Sequence, residues 1–405
     1  MTFLIPRNAD RPADDPIFAL NREATQRRAA GEKVINATVG ALLEDDGSLA
    51  VLPSVVEALH EVPGPRGAAY SPIAGAPDFL AAAIDDLLGG TPLAAQAVAV
   101  ATPGGSGALR HAVSTFLERG QTMVTSSFYW GPYATICDEH ERTVTTFEMF
   151  DASGRFNADA FAKTLDEVGA KQGRLLVFLN DPCHNPTGYS FDDSEWTAAT
   201  EVLARAASKV PLIVLCDVAY LAYARDQKRF LSHVAPLTDR ALVLFAWSAS
   251  KSFTQYGLRV GALMACTTDV EQRSRVQRAL SFASRGTWSN CNAAGQAAIA
   301  RCLTDATMRS RVDTERKRLT DLLAARVRAF NAAAEGTVLR YPRYDGGFFV
   351  TVFAKDAPRA GEALKKNGVF VVPQKGALRV ALCSVAERDV PALVKHLGDA
   401  VSSSA

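Results

Sequence analysis

The sequence predicts an α/β fold, and three observations point to it. Short, continuous apolar runs recur at 97–101, 122–126, 143–147, 175–179, 212–216, 242–246 and 260–266, and runs apolar on both faces suit strands buried within a sheet. Stretches with helical spacing separate them, so strands and helices alternate. At 405 residues the chain is long enough for about two domains at the usual ~100–200 residues each.

In chain order, residues 1–15 hold only a brief apolar stretch before prolines and charges. No later run approaches the ~18 consecutive apolar residues of a membrane span. The stretch 107–118 follows the first strand with a helical pattern. Residues 193–208 form another, opened by Asp192, Asp193 and Ser194, whose side chains suit a helix cap and first turn. From 292 to 334 the chain is rich in Ala, Arg and Leu and has no proline, which predicts a connecting helical segment leading out of the sheet domain. The remainder is expected to form a smaller C-terminal domain, frayed only at 402–404. No repeat or low-complexity linker interrupts the chain.

Composition narrows the function. With 48% apolar residues, 21% charged residues and a formal net charge of +1, nothing suggests a polyanion-binding surface or a disordered tail. The expected partner is a small molecule rather than nucleic acid or a membrane. Seven cysteines are scattered without a C-x-x-C pair, so neither a disulfide framework nor a zinc ribbon is indicated and a reducing, cytoplasmic compartment fits. The six histidines are dispersed without ligand spacing, and no metal site is expected.

Four segments carry candidate chemistry, each just beyond the C-terminal end of a predicted strand. Thr102-Pro103-Gly104-Gly105-Ser106-Gly107-Ala108 opens a helix, where free N–H groups and the helix dipole favour a phosphate, although the same residues suit a tight turn. It is not G-x-G-x-x-G, because Arg110 stands at the last glycine's place, and it lacks the lysine of a P-loop. Asn180-Asp181-Pro182-Cys183-His184-Asn185-Pro186-Thr187-Gly188 lies at the sheet edge where α/β proteins bind ligands, and Asn-Pro and Thr-Gly are also ordinary turn pairs. Asp217, in Cys216-Asp217-Val218-Ala219-Tyr220, ends a buried run, where a carboxylate needs a partner unless it caps a following helix.

Lys251, in Ser248-Ala249-Ser250-Lys251-Ser252-Phe253 with Arg259 eight residues on, sits among small, hydroxyl-bearing and aromatic residues. There its pKa can fall as a Schiff-base amine requires, whereas most lysines are simply solvated. Together the four segments complement one cofactor. Pyridoxal phosphate needs an amine for its aldehyde, an acid for its pyridine nitrogen, donors for its phenolate oxygen and an anion site for its phosphate.

With these residues in place, the chain resembles the class I, fold type I aminotransferases, and within them the aspartate and aromatic amino-acid aminotransferases. The resemblance runs from Asp15-Pro16-Ile17-Phe18 and 36–53 through Tyr70-Ser71-Pro72-Ile73-Ala74-Gly75, Trp130-Gly131, the His184–Gly188 run and the Lys251 segment. It ends with Arg285-Gly286-Thr287-Trp288-Ser289-Asn290 and Leu378-Arg379-Val380. It implies a large domain over 50–305, with a seven-stranded, mostly parallel sheet between helices. A smaller α/β domain would comprise 306–405 and part of 1–49, the rest of which forms an N-terminal arm.

The resemblance also implies roles. Lys251 would bind pyridoxal 5'-phosphate as an imine and later shuttle the proton, Asp217 would pair with the pyridinium nitrogen, and Asn185 and Tyr220 would hold the phenolate oxygen. Gly105, Ser106, Ser248 and Arg259 would hold the phosphate, Trp130 would stack on the ring, and His184 would support Asp217 from behind. Arg379 would clamp the α-carboxylate bidentately, with Gly40, Trp130 and Asn185 beside the substrate. Arg285 would read a distal carboxylate and Tyr70 a cofactor phosphate, each in the neighbouring subunit, so a homodimer with shared active sites is implied.

The chain departs from the family's pattern in places. Gly104 stands where many relatives have a phosphate-binding serine. Gly286 and Asn290-Cys291-Asn292 replace a bulkier residue and a proline-rich continuation, which leaves dicarboxylate and aromatic substrates both open. Phe18, Tyr133 and Phe348 match substrate-side positions and suit either an apolar pocket or packing. The expected reaction is ping-pong transfer of an amino group from an L-amino acid, aspartate or aromatic, to a 2-oxo acid such as 2-oxoglutarate. A carbon–sulfur lyase on the same scaffold is the alternative. A pyridoxal-phosphate-sensing regulator is a more distant one, since family-like residues beginning by Asp15 are expected to leave no room for a DNA-binding domain.

Overall fold

The computed structural model describes residues 3–12 and 15–404. The chain divides into two compact units, Ala50–Ala324 with Pro342–Gly347, and the residues up to Leu49 with Ala325–Tyr341 and those from Phe348 on. β1 (Ile35–Asn36) belongs to the second unit. The first holds β2 (Ala97–Thr102), β3 (Thr122–Ser126), β4 (Thr143–Phe147), β5 (Leu175–Asn180), β6 (Leu212–Asp217), β7 (Leu242–Ser248) and β8 (Gly261–Cys266). These seven form one sheet in the order β2-β8-β7-β6-β5-β3-β4. All its pairings are parallel except those of β8, which runs antiparallel to β2 and β7.

Each predicted apolar run is one of these strands, and β5, β6 and β7 continue into Asn180, Asp217 and Ser248. The strands therefore end in polar groups side by side at the carboxyl edge, with Asn180 in register with Asp217. Alternation of side chains across the sheet decides where these groups point. Leu176 and Phe178, Ile213 and Leu215, and Leu244 and Ala246 join one buried cluster with Ala108, Leu109, Ala112 and Val113 of helix Gly104–Phe116. Tyr133 and Cys137 of helix Pro132–Glu139 belong to the same cluster. Asp217, two residues beyond Leu215, faces that side too. Burial of each large apolar side chain contributes about 1.5–3 kcal/mol, so the packing that fixes the helices also fixes the strand ends.

The region 292–334 is not the single segment expected. It forms two helices, Ala293–Thr304 and Ala306–Ala334, and the Asp305 carboxylate between them accepts the Met308 N–H at 2.9 Å. This capping bond satisfies a first-turn donor that a continuous helix would have paired internally, so the break needs no proline. The predicted cap at 192–194 is a full capping box, in which Asp192 accepts the Glu195 N–H and Glu195 accepts the Asp192 N–H.

In the second unit β9 (Phe349–Phe353), β11 (Val372–Gln374) and β12 (Ala377–Ala381) form an antiparallel sheet in the order β11-β12-β9, and β10 (Val369–Phe370) pairs in parallel with β1. A buried arginine, Arg326, donates to the carbonyls of Leu43 and Cys383 and to Asp45, at 2.8, 2.7 and 2.7 Å. The C-terminal end is not frayed as expected. Helix Val390–Ser403 runs through it, and the buried Ser404 hydroxyl donates back to the Ala400 carbonyl at 2.7 Å. Among the described residues no helix is long and apolar enough to cross a membrane, and no group of three or more His, Cys, Asp or Glu is placed to hold a metal ion.

Candidate active site

The site begins with Asp217 at the end of β6. Its carboxylate is buried, with 6% of its surface exposed. Oδ2 accepts the Tyr133 hydroxyl at 2.7 Å and Oδ1 the Ala219 N–H at 3.2 Å. Burial raises its pKa, and the two donors oppose that shift. A cation alongside would favour the ionised form still further.

On the neighbouring strand, Asn180 donates to the Asp217 carbonyl at 2.8 Å and accepts the Asn185 N–H at 2.6 Å. This ties the loop after β5 to the end of β6. The Asn185 amide then reaches Tyr220, 3.2 Å between Nδ2 and the hydroxyl oxygen, and its Oδ1 is buried with no hydrogen-bond partner. Rotating the amide exchanges its N and O without changing its shape, so one polar end of this group always awaits a partner. Lys251 lies in the short helix Ala249–Ser252 directly after β7. Its Nζ is 4.4 Å from the centre of the Tyr256 ring and 5.8 Å from that of Tyr220.

A third corner is the start of helix Gly104–Phe116. Its N-cap is Pro103, which supplies no side-chain cap, so the first-turn N–H groups remain available to an anion. Ser248 caps the lysine helix by accepting the Ser250 N–H at 3.1 Å. Arg259 is placed by bonds from Nη1 to the Tyr256 carbonyl, 2.9 Å, and from Nη2 to the Pro103 carbonyl, 3.2 Å. The absence of a serine at 104 has a reason in the backbone conformation, with the Arg259 guanidinium as a close neighbour that would have to shift. Gly104 has φ +68°, and a Cβ there would lie 2.5 Å from Arg259 Nη2. Glycine is the residue that tolerates both.

The other expected residues are distributed as follows. Trp130 lies 5.9 Å from Tyr133, edge to face. Tyr70 is 91% exposed. Arg285, also exposed, ends helix Val270–Arg285 and donates to Ser289 at 2.6 Å. In the second unit, Arg379 on β12 is buried, donates to the Thr38 carbonyl at 2.6 Å and stands 4.7 Å from the centre of the Phe349 ring. Gly40 abuts that ring, and a Cβ on it would fall 2.4 Å from Phe349 Cζ.

His184 is not the support of Asp217 expected of it. Its ring bonds Thr187 at 2.8 Å and Ser126 at 3.4 Å, and burial lowers its pKa to about 3. The support comes from Tyr133, a position that the sequence left between pocket and packing. Its place three residues after Trp130 was the available signal. Phe348 is buried and Phe18 exposed. Tyr256, five residues after Lys251, was missed as an aromatic beside the amine, 4.4 Å from Nζ to its ring centre.

A lysine amine, a carboxylate that a cation would complete, an amide with an unpaired end and an uncapped glycine-rich helix start fit the four functional groups of pyridoxal phosphate. Enzymes that carry that cofactor on a lysine are the class these features define. A family model described as aminotransferase class I and II matches residues 32–397, and the chain belongs to that family. It is a pyridoxal-phosphate-dependent aminotransferase.

Particular relatives agree. A tyrosine aminotransferase of Klebsiella pneumoniae is 29% identical over 389 residues, 93% of this chain and 95% of that protein. An aspartate aminotransferase of Pseudomonas aeruginosa is 28% identical over 328 residues, 77% of this chain and 79% of that one. The crystal structure of an aminotransferase from Anaerococcus prevotii superposes with a TM-score of 0.95 at 33% identity, covering 99% of this chain and 100% of its own.

Proposed function

We propose that the protein moves an amino group from aspartate or an aromatic L-amino acid to a 2-oxo acid such as 2-oxoglutarate, with Lys251 as the amine that holds the cofactor. The observation that carries this reading is the convergence of Lys251, Asp217 and Asn185 with an uncapped helix start at the carboxyl edge of one sheet. Relatives named for tyrosine and aspartate favour transamination over the carbon–sulfur lyase.

When bound, pyridoxal phosphate supplies an aldehyde for exchange with amines and a ring that draws off the electron pair left at the α-carbon. Asp217 favours a protonated ring nitrogen through its charge. Asn185 and Tyr220 orient the phenolate oxygen. Trp130 covers a ring face, and Gly105, Ser106, Ser248 and Arg259 take the phosphate. Arg379 takes the substrate α-carboxylate through two parallel N–H bonds, while Gly40, Trp130 and Asn185 bound the substrate. Lys251 Nζ would act as general base for the substrate α-proton and then as general acid, holding that proton between the two steps. Exposed Tyr70 and Arg285 serve the site of a second copy, so the working form is a homodimer, located in the cytoplasm.

The test is the visible absorption spectrum of the protein supplied with pyridoxal phosphate, before and after addition of aspartate or phenylalanine. Loss of the band with aspartate alone supports a distal-carboxylate role for Arg285, and loss with phenylalanine supports the aromatic branch. Pyruvate and ammonia released from cysteine without any 2-oxo acid would contradict transamination.

A further inference from the structure

We infer that Arg316 is a positioning residue for the reaction, the guanidinium that holds the end of the lysine helix and so fixes where the Lys251 side chain starts. This rests on the role proposed above for Lys251.

The helix that bears Lys251, Ala249–Ser252, is four residues long. A single turn costs more order than its own hydrogen bonds return, so its place is set by the groups that take up its last carbonyls. The Lys251 carbonyl accepts the Tyr223 hydroxyl and the Thr254 N–H, each at 3.2 Å. The Ser252 carbonyl accepts Nε of Arg316 at 2.8 Å, and among the described residues no other donor reaches it.

Arg316 comes from the long helix Ala306–Ala334 and is itself held in place. Its guanidinium carbon stands 4.8 Å from the centre of the buried Phe253 ring, and Nη1 donates to Asp313 at 3.1 Å. Asp313 also accepts Arg309 Nε at 3.0 Å, Arg309 pairs with Asp86 at 3.0 Å, and Asp86 accepts Trp247 Nε1 at 3.1 Å. Trp247 directly precedes Ser248. This run of contacts therefore begins just ahead of the lysine helix and ends on its last carbonyl.

Ion pairing alone does not account for the arginine. Burial lowers its pKa, and Nη2 is buried with no hydrogen-bond partner among the described residues, so a cation is kept here at a cost. What the side chain supplies is the donor at Nε. Without it a buried carbonyl is left unsatisfied, and the one-turn helix can shift toward another donor. Lys251 must then be brought back before its amine meets the cofactor's aldehyde, and a tethered group loses effective concentration as its placement loosens.

Arg316→Met puts a methyl group where Nε stands. The readout is a pair of dissociation constants for the full-length apoprotein, by equilibrium dialysis: one for pyridoxal phosphate, which forms the imine, and one for pyridoxamine phosphate, which cannot. Pyridoxal phosphate is expected to bind about tenfold more weakly, the scale of one buried hydrogen bond, with pyridoxamine phosphate changed less than about twofold. A general loosening of the site would weaken both alike. Equal weakening of the two, or no weakening of either, would overturn the inference.

Arg316→Gln returns a donor to the place of Nε without the charge. Pyridoxal phosphate binding within about threefold of wild type supports the inference, and a loss of about tenfold overturns it. Arg316→Lys keeps the charge with a methylene at that place, and serves if the methionine variant does not fold. Pyridoxal phosphate weakened at least about threefold more than pyridoxamine phosphate then supports the inference, and equal changes overturn it. Wild-type protein that shows no imine absorption band with pyridoxal phosphate would instead sink the role given to Lys251.

Discussion

Gly104 shows how one residue can be read two ways. As a missing serine it subtracts a phosphate contact, but in the structure it is a position with φ +68° pressed against Arg259. Gly104→Ser should therefore weaken cofactor binding although it adds a hydroxyl. The strain is expected to cost about 1–3 kcal/mol, seen as a lower melting temperature and a weaker pyridoxal phosphate titration. Tighter binding with an unchanged melting temperature would contradict the steric account. The placement of Lys251, Asp217 and Asn185 beyond strand ends was legible because each follows an apolar run within a short distinctive segment. The bond between Tyr133 and Asp217 was not, since 84 residues separate the partners and only strand alternation brings them together.

At the scale of elements, the capping box of helix Asp193–Ala207 gathers charges from distant segments. Arg343 donates to buried Glu195 at 2.8 Å, and Arg155 donates to Asp192 at 2.6 Å. Asp192→Ala removes the cap and one partner of Arg155, and should lower stability by about 1–2 kcal/mol, measured by urea unfolding, with cofactor affinity unchanged. A loss below a few tenths of a kcal/mol would show the cap to be idle. The sheet strands were legible because burial on both faces leaves a continuous apolar run. The helix break at Asp305 was not, because a capping aspartate looks like any surface acid until its N–H partner is known.

For the molecule as a whole, Ala306–Ala334 contains neither proline nor glycine, so nothing along it marks the division of the chain at Ala324. Stability should depend on pH through two buried histidines. Burial lowers His111 and His184 to about 3 from the usual 6.5. The unfolded chain then binds protons that the folded chain refuses, so their contribution is full above about pH 6.5 and is lost as pH falls toward 3. Asp181, raised to about 7 by burial, has the opposite sign and costs stability as pH rises from about 4 to 7. His111→Asn should therefore lose less stability than wild type between about pH 6.5 and 4, by up to about 1.4 kcal/mol per pH unit, in chemical denaturation. Parallel pH profiles for the two proteins would contradict the account.

The central claim is that Lys251 is the amine that carries the cofactor and yields it to an amino acid. Borohydride reduction of the protein supplied with pyridoxal phosphate, followed by peptide mass analysis, tests this directly. The account predicts the pyridoxyl label on the peptide bearing Lys251, and its loss when aspartate or phenylalanine is added before reduction. A label spread over exposed lysines, or one that neither amino acid removes from Lys251, would contradict it.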